Sequence, residues 1–288
     1  MRLSYTEMKP TAIPLHFDKY EGLGNDFIVL KAVDLPGAPA QWAPQLCDRH
    51  TGIGADGLLL FHPSVQADAR MQVINADGSE PEMCGNGLRC FVRWLAQNTP
   101  QAHYRIETGA GLREADLNGD QIQVAMGAPR LQPHQIPASG WQGTAVLEQP
   151  LSVAERVFSV SLVSMGNPHC VIAVGPEWTP ADTRHWGPLI EHHSAFPQRT
   201  NVEFVWFESP TQAHVSVWER GAGATRACGT GACATLVAGV LSERLHTQAR
   251  IVLPGGPLWI EWQRPENQIN MTGPARHVFS GVYNLKIN

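Results

Sequence analysis

Cys84-Gly85-Asn86-Gly87-Leu88-Arg89-Cys90 and Cys228-Gly229-Thr230-Gly231-Ala232-Cys233 share one pattern, C-G-x-G running into apolar residues, and lie 144 residues apart in a chain of 288. A motif that returns at half the chain length points to a duplicated architecture. The surroundings of the two copies agree with that. Before the first, Met71–Asn75 alternates like a short strand and Ala76–Glu80 reads as a turn. Before the second, His214–Trp218 alternates with Val215 and Val217 on one face, and Gly221–Ala224 is the turn. A helix follows each copy. The first places Leu88, Phe91, Val92 and Leu95 on one face, with Arg89 and Arg93 on its other faces and Pro100 at its end. The second, from about Ala232, is apolar nearly all round, as expected of a helix enclosed by other elements.

Strands are further expected at Phe27–Leu30, Leu58–Phe61, Val171–Val174, Val202–Phe207 and Ile251–Leu253, and helices at Ala43–Arg49 and Pro180–His192. Many short strands punctuated by 27 glycines and 22 prolines suggest two α+β domains, each a curved sheet around a helix. Length alone favours two domains. Pro129–Gly143, dense in Pro and Gly and without period, reads as the linker.

A composition of 43% hydrophobic and 16% charged residues is that of a globular chain. A net charge of −5 offers no footprint for nucleic acid or an anionic bilayer, which leaves a small-molecule partner. The first 17 residues lack the apolar segment of a secretory signal, and the longest apolar run, Ala234–Leu241, is too short to span a membrane. A soluble, cytoplasmic protein is therefore expected. Its six cysteines are too sparse for a disulfide framework and are read as thiols.

Each C-G-x-G sets a thiol at the start of a helix, where unpaired N–H groups and the helix dipole stabilise anions. A thiolate is favoured there, so both thiols are expected to titrate below the free value of about 8.5. An amino acid whose carboxylate is held by both helix starts would lie with its α-carbon between the sulfurs. One thiolate could then remove the α-proton while the opposite thiol protonates the other face, which inverts the centre. Cys47, Cys90, Cys170 and Cys233 sit in apolar patterns and read as core residues. Zinc is disfavoured, because the nearest second cysteines stand six and five residues beyond Cys84 and Cys228.

Together with these two motifs, Gly22-Leu23-Gly24-Asn25-Asp26-Phe27, Asn75-Ala76-Asp77-Gly78-Ser79, Ser164-Met165-Gly166-Asn167-Pro168-His169-Cys170, Glu219-Arg220-Gly221-Ala222-Gly223 and Met271-Thr272-Gly273-Pro274 resemble the diaminopimelate epimerase family. The likeness runs in order over nearly the whole chain after about residue 16. It implies an α+β fold of two pseudo-symmetric domains, each a mostly antiparallel sheet around a central helix, with the site in the cleft between them. It places residues 1–128 and 274–288 in the first domain and 129–273 in the second. It implies an enzyme without metal, pyridoxal phosphate or other cofactor that interconverts LL- and meso-2,6-diaminopimelate, and a homodimer. By the same likeness Cys84 and Cys228 are the acid/base pair, and the backbones of Gly85, Asn86, Gly229 and Thr230 hold the reacting carboxylate. Asn25, Asn75, Asn167, Asn201 and Arg220 would bind the distal end of the substrate, with His169 and Glu219 beside the reacting centre.

The chain departs from the family pattern in three places. Gly57 stands where some members carry glutamine, Ala224 where glutamate is frequent, and Phe279 where some have tyrosine near a dimer contact. Residues 1–15 match nothing. Rival readings are a proline or hydroxyproline racemase, a redox switch built on the two thiols, and a non-catalytic binding module.

Overall fold

Both C-G-x-G motifs fall between strands that run parallel to each other, and the rest of the fold follows from that placement. The computed structural model describes residues 12–81 and 83–286. Its first half contains β1 (Ala12–Gly22), β2 (Asn25–Lys31), α1 (Ala43–Cys47), β3 (Gly57–His62) and β4 (Ala69–Asn75), then α2 (Gly85–Asn98), β5 (His103–Thr108), β6 (Gly111–Asn118) and β7 (Gln121–Gly127). The second half contains β8 (Gln149–Val153), β9 (Arg156–Ser164), β10 (Pro168–Ala173), α3 (Pro180–Glu191) and β11 (Asn201–Ser209), then β12 (Gln212–Glu219), β13 (Gly223–Thr225) and α4 (Gly229–Leu241). It closes with β14 (Gln248–Leu253), β15 (Gly256–Gln263), β16 (Gln268–Pro274) and β17 (Arg276–Lys286).

Parallel neighbours cannot be joined by a tight turn and need a crossover. In the first half α1 crosses between parallel β2 and β3, and α2 between parallel β4 and β5. In the second, α3 crosses between β10 and β11, and α4 between β12 and β14. The other strand pairs are antiparallel, so the α+β fold of two repeated halves stands. The halves share one sheet: β16 pairs with β7, and β17 returns to pair with β1 along its whole length.

The helices pack as their sequences dictate. Leu88, Phe91, Val92 and Leu95 of α2 are all buried, and α4 is buried from Ala232 to Gly239. A continuous core joins the two, from Leu88 and Phe91 through Met271 to Leu236 and Val237. Each such side chain contributes roughly 1.5–3 kcal/mol when fully buried. α4 starts at Gly229, three residues before its apolar pattern does, because Cys228 itself caps it. Two positions differ from the sequence expectation. Arg89 is fully buried rather than on a polar face of α2. Irregular chain extends past the expected linker to Glu148, relieved only by the 3-10 turn Pro133–Gln135 and a bridge between Arg130 and Ser164.

A two-residue turn, Leu23-Gly24, joins β1 to β2, with φ of 60° and 80°. This is the twist-matched hairpin geometry, in which both central residues take positive φ. The turn delivers Asn25 to the start of β2, beside the first motif.

Candidate active site

The two cysteines occupy equivalent positions. Cys84 caps α2 and Cys228 caps α4, each in extended backbone, with φ/ψ of −137°/112° and −117°/107°. The sulfur of each accepts the N–H three residues on: Gly87 N–H to Cys84 Sγ at 3.3 Å, and Gly231 N–H to Cys228 Sγ at 3.4 Å. A thiol thus does what Ser or Asp does at ordinary helix starts. The first two N–H groups of each helix, from Gly85 and Asn86 and from Gly229 and Thr230, have no partner in the helical ladder, and such groups favour an anion.

These starts meet. A Cβ placed on Gly85 would lie 2.9 Å from Met271 Cε, and one on Gly229 would lie 3.0 Å from Met271 Sδ. Asn86 bridges them, its Nδ2 donating to Ala227 O at 3.1 Å and to Asn25 Oδ1 at 3.2 Å. Asn25 Oδ1 in turn accepts from the Cys84 thiol at 4.0 Å. The Asn25 amide is oriented by Asp56, whose carboxylate accepts from Nδ2 at 2.7 Å and leaves Oδ1 to face the sulfur. Asn25 therefore stands beside the Cys84 thiol.

The Glu219 carboxyl acts electrostatically on both sulfurs. Burial raises the pKa of its carboxyl, against hydrogen bonds from the Thr225 hydroxyl and the Cys228 thiol. Behind Cys228 runs a polar chain, buried at its Glu203 and His169 end. Glu203 Oε1 meets His169 Nδ1 at 2.7 Å, and His169 Nε2 meets Asn167 Oδ1 at 3.0 Å. Asn167 Nδ2 donates to Thr230 Oγ1 at 3.3 Å, and Thr230 Oγ1 lies 3.5 Å from Cys228 Sγ. Both ring nitrogens of His169 thus contact oxygen atoms, one of Glu203 and one of Asn167. Glu203 Oε2 has no hydrogen-bond partner among the described residues.

Residues 17–132 and 161–278 match the family model for diaminopimelate epimerase. The chain belongs to that family. A diaminopimelate epimerase of Desulforudis audaxviator is 48% identical over 277 residues, 93% of this chain and 99% of that protein. One from Synechococcus elongatus is 49% identical over 278 residues, 94% of this chain and 99% of that protein. In fold, the chain is similar to a hydroxyproline epimerase from Agrobacterium vitis, with a TM-score of 0.70 at 14% identity, covering 97% of this chain and 95% of that one.

Other residues that the family likeness brought forward fall as follows. Arg220 is exposed, and its Nη1 donates to Gln198 O at 3.3 Å. Asn201 is buried with both ends of its amide engaged, Nδ2 on Pro168 O at 2.8 Å and Oδ1 accepting Arg220 N–H at 2.9 Å. It shapes the Arg220 turn. Asn75 lies exposed at the end of β4, with Nδ2 on Ser79 Oγ at 2.9 Å. Gly57 pairs with Asn75, and a Cβ there would come within 2.6 Å of Ile74 O, so this backbone leaves no room for the longer side chain other members carry. Ala224 is exposed on β13, and Phe279, on β17, packs edge-on against Phe17 at 5.7 Å.

Sequence reasoning missed two buried charges, Arg89 and Glu203. Glu203 sits in the apolar run Val202–Val205, and a carboxylate inside a strand buried on both faces was the available signal. Arg89 follows Gly85 by four residues and so shares its helix face.

The expectation of low thiol pKa values is overturned. Burial raises the Cys84 thiol, although the Gly87 N–H and Arg89 favour the anion, and Glu219 raises it further. Burial raises Cys228 well above its ordinary value too, aided by Glu219 and Glu203. Helix-start donors are present at both sulfurs, but desolvation, with Glu219 at Cys84 and with Glu219 and Glu203 at Cys228, outweighs them.

Burial raises the other four thiols as well, from 9.0 to about 12 at Cys47 and Cys233, and also at Cys90 and Cys170. A thiol whose pKa is raised in the folded state contributes its full share of stability below its unfolded pKa and loses it as pH climbs towards the folded value. Above pH 9 each buried thiol should remove about 1.4 kcal/mol per pH unit. Urea unfolding midpoints in reductant are expected to fall steeply from pH 9 to pH 11. Cys233→Ala should flatten the slope by one thiol's share, and an identical slope in that variant would refute the assignment.

Proposed function

We propose that this chain interconverts LL- and meso-2,6-diaminopimelate by a two-base mechanism at Cys84 and Cys228, as an isomerase of lysine biosynthesis. The observation that carries it is the bridge by Asn86, which sets two thiol-capped helix starts against one another. The reacting carboxylate binds the N–H groups of Gly85, Asn86, Gly229 and Thr230, and the α-carbon then lies between the sulfurs. One thiolate takes the α-proton. The electron pair left on carbon delocalises into the carboxylate, where those N–H groups stabilise it. The opposite thiol gives its proton to the other face.

Raised thiol pKa values fit this chemistry. They lower the thiolate fraction, yet make each thiolate a stronger base towards a weakly acidic C–H bond. Glu219, itself raised by burial and set against Cys228, is placed to take that thiol's proton. His169 and Glu203 orient Asn167 and Thr230 beside the same sulfur.

The distal carboxylate is assigned to Arg220, whose fork suits it, and the distal amino group to the acceptors of the Asn25, Asn75 and Asn167 region. Asn201 holds Arg220 in place. Residues 1–128 with 274–288 and residues 129–273 are read as the two jaws of the cleft. The exposed apolar Val278, Phe279 and Val282 of β17, which among the described residues pairs only with β1, are read as the homodimer face. Among the described residues no helix is long and apolar enough to cross a membrane.

Incubation of LL-diaminopimelate with the protein in D₂O tests the reaction. The meso product is expected to carry solvent deuterium at the inverted α-carbon. Product that keeps the original hydrogen, or an absence of product, would exclude the two-base route.

A further inference from the structure

We propose that Arg89 is a positioning residue of the thiol site: its buried guanidinium supplies the fixed positive charge that offsets a thiolate at Cys84, and its bond to Asn86 keeps the two helix starts in register. The proposal rests on the two-thiol reading.

Arg89 is fully buried, yet its partners are all uncharged. Nη2 donates to Asn86 Oδ1 at 3.0 Å, Nε to Pro274 O at 3.2 Å, and Nη1 to Gly85 O at 3.5 Å and Met271 Sδ at 3.6 Å. A guanidinium taken out of water is costly unless an anion compensates it. The ionisable groups that favour its charge are the thiols of Cys90, Cys84 and Cys233 and the carboxyl of Glu21. Glu21 is engaged elsewhere, by Gly24 N–H at 3.0 Å and by Arg276 at 3.8 Å. Cys90 and Cys233 are fully buried core thiols, one on each helix. Cys84 alone among the four combines partial exposure, a helix-start N–H and a place in the proposed chemistry. Around Cys84, Glu219 of β12 opposes the anion, and Arg89 of α2 favours it. Guanidinium keeps its charge even when burial lowers its pKa, which lysine at such a site does less securely.

The same side chain governs geometry. Through Asn86 it reaches Asn25, the partner of the Cys84 sulfur, and Ala227, the neighbour of Cys228. Its bond to Pro274 ties this hub to the segment that links β16 and β17. One residue thus fixes the separation of two sulfurs contributed by different halves of the chain.

The test is the pH dependence of alkylation of Cys84 by iodoacetamide, read by peptide mass spectrometry, in wild type, Arg89→Met and Arg89→Lys. In Arg89→Met the midpoint is expected to rise by about one pH unit or more, which is about tenfold less thiolate at a given pH. Arg89→Lys is expected to restore that shift only in part, because a buried ammonium holds its proton less securely than guanidinium. In Arg89→Met, kcat at neutral pH should fall about tenfold, recover as pH rises, and change more than KM. If Arg89→Met does not fold, Arg89→Gln is read by the same criteria, since it retains a donor without the charge. An unmoved midpoint in a folded neutral variant overturns the proposal. The two-thiol reading fails on a different result, turnover by Cys84→Ala, so the two failures are distinguishable.

Discussion

Cys84→Ala and Cys228→Ala are each expected to lower epimerisation by about 10³- to 10⁴-fold, the upper range for loss of a positioned proton-transfer group. Inversion requires a proton to leave one face and another to arrive at the opposite face, so neither thiol can substitute for the other. The variants should not fail equally in every assay. With one sulfur gone, the other still faces one side of the α-carbon and can remove and return a proton there. Each variant is therefore expected to exchange solvent deuterium into only one of the two stereoisomers, without inverting it, and the two variants should choose opposite isomers.

Stability serves as the control. Each sulfur accepts one helix-start N–H, at 3.3 Å and 3.4 Å, so alanine should cost about 1 kcal/mol of capping. That loss is far too small to account for the fall in rate. Cys→Ser would retain the cap while removing the soft acid/base group, and should remain folded and nearly inactive. Substantial inversion by either alanine variant, or exchange into the same isomer by both, would show that the thiols do not flank a shared carbon.

Much of this arrangement could be read from residues near each other in sequence. The caps, the helices behind them and the strands before them follow from local rules: a polar atom at N-cap, apolar spacing of three and four, alternation of two. The repeat then doubled the evidence, since both copies of C-G-x-G had to perform the same structural task. Asn25 lay in a turn signal, and the hairpin it leaves does take the positive φ values its Leu-Gly turn requires.

What was not legible depends on neighbours far away in sequence. Arg89 looked solvated because helical spacing says which face a residue is on but not what covers that face; here Met271 and Pro274 cover it from half a chain away or more. The titration of the thiols was misjudged for the same reason. The helix start is local and favours the anion, while Glu219 and Glu203 reach Cys228 only through the fold. Asn201 hydrogen-bonds Pro168 O and the Arg220 N–H, a pairing that no spacing rule contains.

Gly255→Ala is expected to be strongly destabilising for so small a substitution. Gly255 precedes β15 and donates its N–H to Arg226 O at 2.7 Å. A Cβ there would lie 1.9 Å from Leu23 O, 2.8 Å from Leu23 C and 3.0 Å from Arg226 O. All three are backbone atoms, so no rotamer change relieves the clash. The hairpin turn must move, or the segment that runs from Arg226 to Cys228 must. Both carry the site, because Leu23 lies two residues before Asn25 and Arg226 two before Cys228. Overpacking of this kind costs about 3 kcal/mol or more where the neighbours cannot yield. Gly119→Ala supplies the comparison. Gly119 has φ of 59° in an open turn with nothing within 4 Å of a new Cβ, so its cost is confined to backbone strain of about 1 kcal/mol. Urea unfolding should rank Gly255→Ala well below Gly119→Ala, and the fraction of Gly255→Ala that remains folded should show a reduced kcat, whereas Gly119→Ala should turn over normally. Equal stability in the two variants would mean that the Leu23 turn and the Arg226 segment are not pressed together, and the contact that aligns Asn25 with the second helix start would have to lie elsewhere.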